Sequence, residues 1–200
     1  VYIGREAGKG SGTGNNATKH VIIGYQAGTS ISTGDGNVLL GYQAGDAITT
    51  KTGIIAIGLA AAGGISTTGD YSIAIGYGAM GGAEIGDGNI AIGYQSMQNA
   101  NAAGFHRNTA VGYQTMANVG SNSADDNTAL GYQALYSVTS GDDNVAIGSN
   151  ALRLATTAAD NISIGHDSMG ARTSGSNNIA IGPEALYYSK GSTYNIAIGP

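Results

Sequence analysis

The sequence predicts an all-β chain, a parallel β-solenoid (β-roll) of about eleven coils of 17–20 residues, and three observations carry that expectation. One short motif recurs from end to end, its period is about half that of the shortest helical repeats, and glycine fills 35 of 200 positions where average usage is about 7%.

The repeat is aligned on the glycine closing each Ala-Ile-Gly-like segment, numbered as position zero. These anchors are Gly4, Gly24, Gly41, Gly58, Gly76, Gly93, Gly112, Gly131, Gly148, Gly165, Gly182 and Gly199, spaced by 17 residues with extensions of one to three. The period covers residues 1–200 as a single array with no second domain. Position −1 is always Ile, Val or Leu, and −3 is Val or Ile in ten units of twelve, Thr109 and Thr128 being the exceptions. Position −2 is small in most units, and −4 is asparagine in eight, including Asn89, Asn108, Asn127, Asn144, Asn161 and Asn178. Tyr-Gln follows the anchor in five units, and position +4 drifts from Gly28 and Gly45 to Met80, Met97, Met116, Leu135, Leu152, Met169 and Leu186. The other positions are dominated by Gly, Ser, Thr, Asn and Asp, which is turn chemistry.

A run such as Asn89-Ile90-Ala91-Ile92-Gly93 alternates large and small apolar residues with period two and reads as a strand. A second short strand is expected through +3 and +4. Asparagines at one corner of successive coils would hydrogen-bond along the axis as a ladder, beside a column of anchors that includes Gly93, Gly112, Gly131, Gly148, Gly165 and Gly182. At about 4.8 Å per strand, eleven coils give a rod of roughly 50 Å. With apolar residues on both strand faces, the larger Ile and Leu/Met side chains are expected to fill the thin interior. The Ala/Gly stripe would then face another chain, which argues for a parallel homotrimer. The competing reading is a monomer whose Ala stripe is a tight inner layer.

At Asn144-Val145-Ala146-Ile147-Gly148 the chain resembles the head regions of trimeric autotransporter adhesins, with their Asn-x-Val-Ala-Ile-Gly segments. The Gly-Tyr-Gln-Ala runs at 24–27, 41–44 and 131–134 resemble repeats in bacteriophage tail-fibre and related surface-fibre proteins. The resemblance spans essentially all 200 residues, although the 17-residue base unit is longer than that of adhesin heads. It implies a left-handed, parallel homotrimeric β-roll serving as an attachment surface, with a cell-surface or glycan receptor as partner.

Other chemistry finds little support. The absence of cysteine excludes a disulfide framework, and no apolar run approaches the ~18 residues of a membrane-spanning helix. A net charge of −5 with no basic block argues against nucleic acid, and 42% hydrophobic against 10% charged residues argues against disorder. His20, His106 and His166 occupy unrelated repeat positions, and the Gly4–Gly10 segment lacks the spacing of a phosphate loop, so no enzyme is expected. Acidic turns such as Gly141-Asp142-Asp143-Asn144 make calcium the one cation considered, but these residues are also ordinary turn formers, and no cofactor is assigned.

Two features are candidate ligand contacts. The tyrosines at +1, among them Tyr94, Tyr113 and Tyr132, should form a column; its rings either stack on one another over the turn or receive sugars. Insertions lie at Lys9–His20, Gln98–Arg107 and Asn118–Asp126, and the second offers Phe105, an expected exposed aromatic, beside His106 and Arg107. The expected function is an extracellular attachment fibre on a cell surface or virion. The alternatives are a spacer filament without ligand and an ice-binding solenoid. The truncated first and last repeats suggest a fragment of a longer fibre.

Overall fold

The structure, a computed structural model, describes residues 1–10, 18–63, 67–82, 84–99, 101–102, 104–120, 124–171, 173–188 and 191–200. Parts of all three insertions, residues 11–17, 100, 103 and 121–123, lie outside the described residues.

Each anchor closes a strand of two or three residues: Tyr2–Ile3, Val21–Ile23, Val38–Leu40, Ile55–Ile57, Ile73–Ile75, Ile90–Ile92, Thr109–Val111, Thr128–Leu130, Val145–Ile147, Ile162–Ile164, Ile179–Ile181 and Ile196–Ile198. These form one twelve-stranded sheet in chain order, every pair parallel. The register follows the anchors, so Ala91 pairs with Ala74 and Ala110 on either side. Length changes between anchors are absorbed in the turns, and the chain is a parallel β-solenoid. A second sheet of Thr67–Thr68, Glu84–Ile85 and Asn101–Ala102 forms on neighbouring coils.

The expected strand at +3 and +4 is replaced by a succession of tight turns. Residues at +2 and +4 adopt left-handed backbone, as in Gln95 (φ 53°) and Met97 (φ 52°), or Gln114 (φ 49°) and Met116 (φ 50°). Hydrogen bonding along the axis continues through these turns. Met97 N–H donates to Thr115 C=O at 3.0 Å, and Gln114 N–H to Tyr94 C=O at 2.9 Å.

Anchor glycines have φ between 123° and 141°. A Cβ at Gly112 would fall on the carbonyl of Gly131, and the same collision repeats at every anchor from Gly4 to Gly182. The column is glycine because successive coils approach backbone to backbone.

The inside and outside of the strand are the reverse of the size-based expectation. Ala56, Ala74, Ala91, Ala110, Ala129, Ala146 and Ala180 at −2 are fully buried, together with Met80, Met97, Met116, Leu135, Leu152 and Met169 at +4. The −3 and −1 side chains point outward, half-buried or exposed, Leu130 at 47%. A coil with one strand and tight turns has a narrow bore; an alanine facing a Met or Leu fills it, and there is no room for two β-branched rows. The Ala stripe is therefore a tight inner layer and no interface. Among the described residues, no helix is long and apolar enough to cross a membrane.

Candidate functional site: ladders and outward faces of the solenoid

Because repeat positions superpose along the axis, each side-chain type becomes a column. At −4 the asparagines form a buried ladder. The backbone N–H of Asn108, Asn127, Asn144, Asn161, Asn178 and Asn195 each donates to Oδ1 of the preceding asparagine at 2.9–3.1 Å. Each Nδ2 also reaches that Oδ1, and in all but Asn195 a carbonyl of the next turn, as Asn127 does with Asn108 at 3.1 Å and Gly141 at 2.9 Å. In the N-terminal part, His20 takes this place, its Nδ1 accepting from the Asn37 N–H at 3.1 Å. Burial pushes the His20 pKa down, so its ring is held neutral.

A second ladder at −6 is built from unlike residues. Side chains of Asp35, Thr52, Asp70, Asp87, His106, Asp125 and Asp142 each accept the N–H of the −6 residue one coil earlier, at 2.6–3.3 Å. The acidic turns are therefore carboxylates capping backbone donors. Asp35 is held below the usual carboxylate range by the N–H and hydroxyl of Thr18. Among the described residues, no three His, Asp or Glu side chains are grouped to hold a metal ion.

Phe105, expected at the surface, is fully buried and is among the largest side chains of the core, so it presents no contact surface. It stands at −7, one residue before the −6 ladder, at the place where Ala124 and Ala158 are also buried. His106 lies in the −6 ladder; its Nδ1 accepts from the Asp87 N–H, which puts the ring proton on Nε2. Arg107 is exposed and grips Asp126 through Nε and Nη2 at 2.7 and 2.6 Å. That contact raises the Arg107 pKa and lowers that of Asp126.

The tyrosines stack in two runs. Tyr25 lies on Tyr42 at 5.3 Å, and Tyr77, Tyr94, Tyr113 and Tyr132 follow at 5.2, 4.9 and 5.4 Å with interplanar angles of 6–12°. Both faces of Tyr94 and Tyr113 are taken by neighbouring rings, leaving edges and hydroxyls to solvent; sugar stacking on these faces is blocked. Beside them runs an amide ladder: Gln43 to Gln26 at 3.1 Å, then Gln114 to Gln95 and Gln133 to Gln114, each at 2.9 Å. Glu6, accepting from Gln26, is held below its ordinary pKa by that bond.

Adjoining this stripe, the outward sheet face carries the −3 and −1 residues of twelve strands, from Val1 and Ile3 to Ile196 and Ile198. All twenty-four are Ile, Val, Leu or Thr, and none is charged. Monomeric proteins rarely leave so large an apolar surface continuous. Comparison with protein-family models, characterised proteins and solved structures returns no match.

Proposed function

We propose that the chain is a non-enzymatic segment of an extracellular attachment fibre, a homotrimer on a cell surface or virion. The single observation that supports this most is the uncharged outward face of twenty-four residues. One side of a standard protein interface engages roughly 20–30 residues. A surface ridged at one coil per step is matched over its whole length by another surface of the same period, which a second copy of this chain supplies. Three such faces turned toward a common axis would close an apolar prism, with the Tyr-Gln stripes along its rims. The face moves from the Ala/Gly stripe of the sequence expectation to the Ile/Val rows; the number three rests on the resemblance to adhesin heads and tail fibres.

In this reading the solenoid supplies a stiff rod, and weak contacts repeated over three chains supply avidity. Contacts at Tyr94, Tyr113 and Tyr132 would run through hydroxyls and ring edges, with His106 and Arg107 at the opposite end of the strand. Binding of the trimer to glycan arrays and to whole cells tests the attachment role; a trimer that binds neither is a spacer. The ice-binding alternative is weakened, because the outward rows contain only Thr109 and Thr128 as hydroxyl-bearing residues.

A further inference from the structure

We infer that the array is built from two cooperative blocks that meet at one weakened step, between the strands Ile55–Ile57 and Ile73–Ile75. Two independent sets of observations coincide there, one inside the bore and one in the axial ladders.

The bore changes its packing scheme at this step. In the first coils the large side chain sits at −2 and glycine at +4. A Cβ on Gly8 would strike the Tyr2 ring; one on Gly28 would meet Ile22 and Leu39; one on Gly45 would meet Leu39 and Ile48. From Ala74 and Met80 onward the scheme is inverted, with Ala or Ser at −2 and Met or Leu at +4. The changeover coil has small residues at both places, Ala56 and Ala62, and buries Ile54 where its neighbours carry a ladder residue.

That substitution interrupts the −4 ladder. Ile54 N–H still donates to Asn37 Oδ1, and Asn89 N–H to Ser72 Oγ, but the Ile54 side chain has no acceptor to offer the coil of Ser72. On the surface, Leu59 separates the Tyr25–Tyr42 stack from the Tyr77–Tyr132 stack. Ala60 and Gly78 likewise separate the Gln26–Gln43 ladder from the Gln95–Gln133 ladder. Three side-chain columns are therefore broken at one place. Across it run the backbone pairing of Ile55–Ile57 with Ile73–Ile75 and the −6 bond from Thr52 to Asp70.

In a solenoid, stability is a sum over nearest-neighbour interfaces, so the interface with the fewest contributions opens first. The rod has a built-in yield point at this step, at which it parts into two blocks before either block unravels, whatever it attaches to.

Hydrogen exchange on the full chain, read by mass spectrometry with residue-level fragmentation, tests this. The amides bridging the step are Ile55, Ala62 and Gly76; their equivalents one step later are Ile73, Met80 and Gly93. The first set is expected to exchange about tenfold faster than the second. The surface repair Leu59→Tyr/Ala60→Gln/Gly78→Gln restores both outer columns; Ala60 (φ 52°) and Gly78 (φ 58°) already have the backbone of the ladder glutamines, so it leaves the fold intact. In that variant the difference should shrink. Equal exchange of the two sets in the native chain, or an unchanged difference after repair, would overturn the inference.

Discussion

Replacing Asn127 with alanine tests the buried ladder at one of its fully bonded rungs. The side chain is fully buried, its Oδ1 accepts from both the N–H and the Nδ2 of Asn144 at 3.0 Å, and its Nδ2 donates to Asn108, Asp125 and Gly141. Truncation leaves the Asn144 N–H in the interior without its acceptor, at a cost of about 1–3 kcal/mol, and forfeits side-chain bonds worth about 1 kcal/mol each. A destabilisation of about 3 kcal/mol follows, which for a chain of this size lowers Tm by roughly 6–12 °C. Asn195→Ala is the internal control, because that residue is only part-buried and has no further asparagine stacked beyond it. It should cost under about 1 kcal/mol. Urea unfolding followed by circular dichroism measures both. A cost below about 0.5 kcal/mol for Asn127→Ala, or equal costs for the two variants, would refute the idea that the ladder holds the coils in register.

Three more outcomes follow from the same geometry. Gly112→Ala should prevent folding or cost more than about 4 kcal/mol, because its Cβ meets the Gly131 carbonyl and its φ of 137° is closed to alanine; expression and thermal melting decide this. Phe105→Ala should cost about 3–5 kcal/mol in chemical denaturation, where a surface contact residue would cost almost nothing. Stability should fall on acidification below about pH 6.5: burial depresses the His20 pKa, so the unfolded chain takes up a proton the folded chain refuses, and the loss grows until the folded value is reached. His20→Asn, which keeps a ladder acceptor, should flatten this dependence in urea midpoints at pH 7.5 and 5.5. Asp46, whose pKa burial pushes up, contributes equally to both proteins and cancels from the comparison.

The solenoid was legible because identical residues recur at fixed offsets. The anchor glycines and the −4 asparagines are constant in type, and a constant offset in a solenoid becomes a column in space. The −6 ladder is hidden for the converse reason: Thr, Asp and His share only an acceptor atom, so no single residue type marks the position. Ile-Ala-Ile alternation is the same pattern whichever face is buried, and only the bore left by the left-handed turns at +2 and +4 decides which side of the strand is inside. Left-handed backbone at Gln95, Met97, Gln114 or Met116 carries no signature in residue type, which is also why a strand was expected there. Phe105 stands at −7, where other coils bury a small residue such as Ala124 or Ala158, so a single large ring there has no counterpart in the repeat to mark it as core.

The proposed trimer requires the uncharged Ile/Val face to be covered by two further copies of the chain. Light scattering of the 200-residue protein at several concentrations tests it most directly, alongside the Ile75→Lys/Ile92→Lys variant, which charges that face at two adjacent strands without touching the bore. A mass three times 19.8 kDa is expected for the native chain, with dissociation of the variant. A folded native monomer, or a trimer indifferent to the two lysines, would contradict it.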